Sequence, residues 1–145
     1  MIIRLNEKNI SACVELANKL WPDAEKQELL EMYQETISSD KAECFLYVNA
    51  IGAYTGFIQL AIRNDYVEGS ETSPVAYVEG IYVEACDRRR GIARELMFRG
   101  EAWGREHGLT EFASDCELDN ELSIDFHKGY GFEEANRLVC FVKKI

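Results

Sequence analysis

The chain has 145 residues, 47% of them hydrophobic, which suits one domain with a substantial apolar core. Its net charge of −10, from 26 acidic against 16 basic side chains, argues against a nucleic-acid binder and fits a cationic partner. Five scattered cysteines and two histidines show no C-x-x-C pair and no His/Cys clustering, so no metal site is expected and the thiols read as idle in a reducing compartment.

No linker, repeat or low-complexity tract divides the sequence, and residues 1–145 are expected to form one domain. The opening segment Met1–Glu7 reaches an acid by its seventh residue and has no long apolar run. It reads as neither a signal peptide nor a membrane span, and the expected location is cytoplasmic.

Ile2 to Leu5 is β-branched and predicts a first strand. Asn6 is a candidate helix cap, and Ile10, Val14, Ala17 and Leu20 recur at helical spacing until Trp21-Pro22 ends the pattern. A second helix carries Leu29, Leu30, Met32, Tyr33 and Ile37 and stops at Ser38-Ser39-Asp40. Cys44–Val48 and Gly56–Ile62 read as strands, followed by an irregular loop from Asn64 to Pro74. Val75–Val83 is the strongest strand signal. Next come a basic turn, Asp87 to Gly91, and a helix with Ile92, Leu96, Ala102 and Trp103 among its apolar positions and Gly108 near its end. Thr110–Ser114 predicts a short strand, Asn120–Lys128 a helix, and Leu138–Val142 a final strand. The order β-α-α-β-β-β-α-β-α-β predicts an α/β protein with one mixed sheet flanked by helices. The strand–helix–strand unit from Val75 to Ser114 should place two parallel strands about a right-handed crossover.

The most informative stretch runs from Glu79 to Ala93. A buried strand enters a turn and then a helix, whose first N–H groups have no partner within the helix and form an anion site aided by the helix dipole. Gly91 and Ala93 leave room for a pyrophosphate near the backbone. Arg88, Arg89, Arg90 and Arg94 reverse the sign of charge locally in an acidic protein. Taken alone, the basic turn is equally compatible with a solvated helix cap. No Gly-Lys-Ser/Thr follows, so the segment is not a Walker phosphate loop.

Arg88-x-x-Gly91-x-Ala93 resembles the Q/R-x-x-G-x-G/A signature of the GNAT superfamily, at the strand–helix junction where that family keeps it. Asn120-x-x-Ser123-x-x-Phe126-His127-x-x-x-Gly131-Phe132 is similar to its second CoA-side helix. Further blocks resemble the aminoglycoside 6'-N-acetyltransferases within it: Trp21-Pro22, Ile62-Arg63-x-Asp65-Tyr66-Val67-x-Gly69, Ser73-Pro74-Val75, Glu79-Gly80-Ile81, Ala113-Ser114-Asp115 and Gly131-Phe132-Glu133-Glu134. They lie in order along nearly the whole chain. The resemblance implies a GNAT fold, acetyl-CoA as co-substrate, transfer to the 6'-amine of an aminoglycoside with resistance as the outcome, and a homodimer.

It also implies roles. The backbone of Ile81, Tyr82 and Val83 would meet the pantetheine arm, and residues Arg88, Arg89, Arg90, Gly91, Ile92, Ala93 and Arg94 would surround the pyrophosphate. Asn120 would bond the cofactor arm or the neighbourhood of the amine. Glu79 and Asp115 would hold substrate ammonium groups, with Trp21 and Tyr66 as flat faces against sugar rings. Glu79 is the candidate base, directly or through a water, and a carboxylate in so apolar a strand needs a partner. Backbone N–H groups near Ile81 or Val83 could polarise the thioester carbonyl. His127 stands where many GNAT enzymes carry a tyrosine general acid, and it either serves the leaving thiolate or only packs. Asn136 stands where some relatives carry a carboxylate, which bears on substrate choice. The surplus acids Asp65, Glu68, Glu71, Glu117, Asp119 and Glu121 could extend a negative cleft but read first as a solvated surface. A covalent route through Cys116 is disfavoured because no histidine adjoins it in sequence. The same fold acting on polyamines, a protein N-terminal acetyltransferase, and a non-catalytic acyl-CoA sensor are the competing readings.

Overall fold

A computed structural model describes all residues from Met1 to Ile145. One five-stranded sheet has the order β1-β2-β3-β4-β5, with strands Ile2–Arg4, Ala42–Val48, Tyr54–Arg63, Val75–Val83 and Phe112–Ser114. The first four pair antiparallel and β4 pairs parallel with β5. Four helices accompany the sheet: α1 (Ile10–Leu20), α2 (Lys26–Ser38), α3 (Ile92–Glu106) and α4 (Glu121–Tyr130). The predicted parallel unit is present, with α3 as its crossover. No helix is long and apolar enough to cross a membrane.

Two cores lie on the two faces of the sheet. On one, Ile10, Cys13, Val14, Leu16 and Ala17 of α1 and Leu29 and Tyr33 of α2 close over Cys44, Leu46 and Phe57. On the other, Ile92, Leu96, Met97 and Trp103 of α3 cover Phe45, Ile58, Leu60, Ala76 and Val78. Alternation along β2 and β3 therefore sends adjacent side chains into opposite cores, which fixes the register of the hairpin. Cys13 and Cys44 are buried together, whereas Cys86, Cys116 and Cys140 are exposed.

The register of β4 on β3 contains one irregularity that positions everything below. Gln59 faces Gly80 and Leu60 faces Val78, so Glu79 is an extra residue with no partner on β3. A bulge of this kind bends the strand and re-aims the side chain it carries. Because of it, Tyr77, Glu79 and Gly80 all present themselves toward the α1–α2 side. Tyr77 lies under Arg63, Glu79 lines a cavity with α2, and Gly80 lies under Trp21.

Two sequence expectations are corrected. Asn9, not Asn6, precedes α1, and its side chain binds back to the Asn6 N–H (2.8 Å) and the Arg4 carbonyl (3.0 Å). Asn6 instead accepts from the Lys8 N–H in a local turn. The final strand predicted at Leu138–Val142 does not form: residues after Tyr130 join no sheet. Leu138, Val139, Phe141 and Val142 are exposed, since no strand of the same chain lies alongside them to satisfy their backbone or cover their side chains.

Leu96 is fully buried between α3 and the sheet. Leu96→Ala should lower the unfolding free energy by about 2–5 kcal/mol, as large-to-small core substitutions do, read by urea denaturation.

Candidate active site

The site is built around the end of β4. Ala76, Tyr77 and Val78 pair with β5, whereas β4 continues to Val83 after β5 has ended at Ser114. The residues from Gly80 onward are therefore paired on the β3 side only, and a gap opens beside them where β5 no longer pairs. On the outer side of this gap stand Glu79, from the bulge, and Asp115, the residue after β5.

The two carboxylates belong to one network. Arg63, the last residue of β3, donates from Nε to Glu79 Oε1 (2.8 Å) and from Nη2 to Glu79 Oε2 (2.7 Å). Its guanidinium lies 3.5 Å over the Tyr77 ring, and the Tyr77 hydroxyl donates to Asp115 Oδ2. Burial, aided by the Asp115 carboxylate, pushes the Tyr77 hydroxyl well above the usual phenol range, so it remains a donor. The bond to Glu79 likewise raises the guanidinium of Arg63. The partner that an apolar strand demanded for Glu79 is thus Arg63. Sequence reading did not identify it, although a long cation at the far end of the neighbouring strand was the signal available. A cavity of about 290 Å³ adjoins Glu79 and is lined also by Met32, Glu35 and Ser39 of the α2 region and by Gln59.

Trp21 packs on the bulge. A Cβ at position 80 would sit 2.6 Å from the Trp21 ring, so only glycine permits this approach. The ring also meets Phe57 edge-on at 6.1 Å. Tyr66 stands apart, 81% exposed, on the loop between β3 and β4, where its hydroxyl donates to Glu68 (3.2 Å). Glu68 also accepts from Asn136 Nδ2 (3.0 Å), so Tyr66 and Asn136 share one cluster. Just before it, Arg137 and Lys128 hold the Glu134 carboxyl down to about 2. Asp65, Glu68, Glu71, Glu117, Asp119 and Glu121 are all exposed.

At the inner end of β4, a 3-10 turn (Ala85–Asp87) leads into α3. Asp87, buried although charged, accepts from Asn49 Nδ2 (3.2 Å) and Arg90 Nη1 (2.6 Å) and so ties the turn to the β2–β3 hairpin. Arg89 adopts a left-handed conformation (φ 62°) and so does Gly91 (φ 82°), the residue before the helix. Gly91 offers no side chain to cap α3, so the first-turn N–H groups of Ile92, Ala93 and Arg94 point outward without one. Arg88 Nε donates to the Val83 carbonyl (2.8 Å), closing the turn on the strand. Arg94 lies over Phe98 (5.2 Å) and Tyr130 (5.4 Å). An uncapped helix start with cationic side chains around it fits a pyrophosphate.

Asn120 caps α4, its Oδ1 accepting from the Ser123 N–H (3.1 Å). Both ring nitrogens of His127 are engaged: Nδ1 with the Ser123 carbonyl (2.7 Å) and Nε2 with Ser114 Oγ (2.7 Å). With Nδ1 turned to a carbonyl, Nε2 is the nitrogen left to pair with the Ser114 hydroxyl. His127 thereby clasps α4 to β5 one residue before Asp115. No three His, Cys, Asp or Glu side chains meet in a way that could hold a metal ion.

Comparison with known proteins identifies relatives of the whole chain. The Acetyltransferase (GNAT) family matches residues 10–132. The chain is 40% identical to an aminoglycoside N(6')-acetyltransferase type 1 of Acinetobacter haemolyticus, over 97% of this chain and 95% of that one. It is 34% identical to the protein of that name from Serratia marcescens, over 100% and 99%. Among solved structures it is similar to AAC(6')-Iy in complex with the bisubstrate analogue CoA-S-monomethyl-acetylneamine (TM-score 0.96, 32% identity, 100% and 98% covered). The apo AAC(6')-IG structure from Acinetobacter haemolyticus gives a TM-score of 0.93 at 36% identity, with 100% and 99% covered.

Asp87→Ala should release the turn before α3. The expected outcome is an acetyl-CoA KM raised about tenfold, with the KM of the amine little changed, in steady-state kinetics; loss of a charged hydrogen-bond partner of about 1.5–3 kcal/mol sets that scale.

A parting strand pair, an uncapped α3 behind an arginine-rich turn and full-length likeness to acetyltransferases lead to one assignment: the chain belongs to the GNAT family of acetyltransferases.

Proposed function

We propose that residues 1–145 act as one acetyltransferase domain, in the cytoplasm, transferring acetyl from acetyl-CoA to the 6'-amine of aminoglycosides and so conferring resistance to them. One observation carries the substrate reading. Glu79 and Asp115 stand at the mouth of the gap between β4 and β5, joined through Arg63 and Tyr77, and the α3 start lies at the inner end of the same strand. A cationic, polyhydroxylated substrate suits two carboxylates held in one network, one of which borders a cavity. The names of the relatives point to the same substrate class.

In this reading the N–H groups of Ile92, Ala93 and Arg94, with the side chains of Arg88, Arg89 and Arg90, hold the pyrophosphate. The backbone of Ile81 and Tyr82 and the N–H of Val83 line the pantetheine arm. Acetyl-CoA supplies the thioester. The amine nitrogen attacks its carbonyl, the C–N bond forms, the C–S bond breaks, and the sulfur leaves with a proton. Glu79 takes the amine proton, directly or through one water, using a lone pair not turned toward Arg63. Ile81 or Val83 N–H polarises the carbonyl. Trp21 offers an aromatic wall beside Glu79, and Tyr66 and Asn136 border the cleft from the outer loop. Asn120 acts mainly by starting α4. His127 holds Asp115 in place through Ser114, so the thiolate draws its proton from solvent rather than from the imidazole.

Release of CoA with tobramycin, spermidine and a 6'-hydroxyl aminoglycoside tests this directly. Turnover with tobramycin and little with the other two is expected. Preference for spermidine would redirect the site to polyamines, and CoA binding without turnover on any amine would support an acyl-CoA sensor.

We infer also that the working form is a homodimer. The support is the exposed apolar run Leu138, Val139, Phe141 and Val142 together with β5, which carries a neighbour strand on one edge only. A second copy offers each tail a strand to pair with. Light scattering should return twice the chain mass for the native protein and a monomer for Phe141→Asp; a native monomer sinks this reading.

A further inference from the structure

We propose that Arg63 is a positioning residue that fixes the separation of Glu79 and Asp115, and that this separation selects rigid polyamines over flexible ones. The proposal deepens the aminoglycoside reading and rests on it. The geometry is a continuous chain of contacts. Both oxygens of Glu79 accept from the one guanidinium (2.8 and 2.7 Å), which stacks 3.5 Å over Tyr77, whose hydroxyl is bound to Asp115. A fork bound at both tines holds a carboxylate in one orientation, and the ring below holds the fork.

Glu79 needs such an anchor more than a residue in regular pairing would. It is the unpaired member of the bulge, and its side chain borders the cavity that also receives Glu35. The charged and titratable groups around the Arg63–Glu79 pair are Glu35 from α2, which shares the cavity with Glu79, and Tyr77 from β4 and Asp115 after β5, which lie by Arg63. Arg63 is the single cation in this set. Without it, like charges would turn Glu79 away from Asp115, and the spacing of the pair would no longer be set. An aminoglycoside keeps its ammonium groups on fused or linked rings at nearly fixed distances, whereas spermidine adapts by bond rotation. A fixed carboxylate pair therefore favours the former through preorganisation.

The test measures dissociation constants of tobramycin and spermidine by calorimetry, with CoA present, for the native protein, Arg63→Met, Arg63→Lys, Glu79→Gln and the double variant Arg63→Met/Glu79→Gln. Arg63→Met is expected to weaken tobramycin about tenfold and spermidine less than about threefold, and the double variant to be no weaker than Glu79→Gln alone, since the two residues act as a unit. Arg63→Lys, which keeps the charge but loses the fork, should fall between native and Met; if Arg63→Met does not fold, this intermediate selectivity is the deciding result. Tighter tobramycin binding by Arg63→Met would overturn the proposal, because the guanidinium would then occupy an ammonium position rather than set one. Equal losses for both amines, or additive effects in the double variant, overturn it too. Native protein that binds tobramycin but does not acetylate it sinks the substrate reading alone, while the selectivity ratio still reports on Arg63; a native protein that binds neither amine sinks both.

Discussion

The site depends on one extra residue in β4. Inserting Glu79 without a partner on β3 lets Tyr77 and Gly80 keep faces that ordinary alternation would have separated, and it places a carboxylate between them. Two demands follow and both are met locally. Arg63 reaches along the neighbouring strand to satisfy the charge, and Gly80 lets Trp21 lie directly on the bend. An apolar residue at 79 would have had no use for Arg63, and a larger one at 80 would have lifted Trp21 away. Charge, shape and backbone irregularity at this point are a single solution.

The C-terminal end of the same strand works by a different means. There the protein uses backbone rather than side chains: Gly91 in a left-handed conformation starts α3 with no cap, and Asp87 holds the preceding turn from beneath. The arginines around this turn are few but concentrated, so a protein with a net charge of −10 still presents a cationic patch. The middle of β4 and its C-terminal end carry opposite electrostatic sense, which in the proposed function separates an anionic carrier from a cationic acceptor along one strand.

Much of this was legible in the sequence because it depends on local chemistry. The β4 span, the break at Trp21-Pro22 and the turn before α3 each follow from residues within a few positions of one another. The Arg63–Glu79 pair, the Tyr77–Asp115 bond and the clasp of His127 on Ser114 were not, because they arise only when strands register across the sheet. The apolar alternation of the tail also reads as a strand, yet a strand needs a neighbour, and the chain alone provides none at that place. Asn6 and Asn9 differ by geometry rather than by type, and only the path of the chain after β1 decides which of them faces the helix.

The sequential order of the sheet also bears on how the molecule assembles. β2, β3 and β4 are joined by direct connections, so their pairings close short loops, while β1 must wait for α1 and α2 and β5 for α3. Glu79 and Arg63 lie within the early meander. Asp115 arrives with β5, which is held by only three paired residues and by the His127–Ser114 contact. Half of the proposed cation-holding pair therefore rides on a lightly attached edge strand, and local opening there would separate Asp115 from Glu79 while the rest of the sheet stays folded.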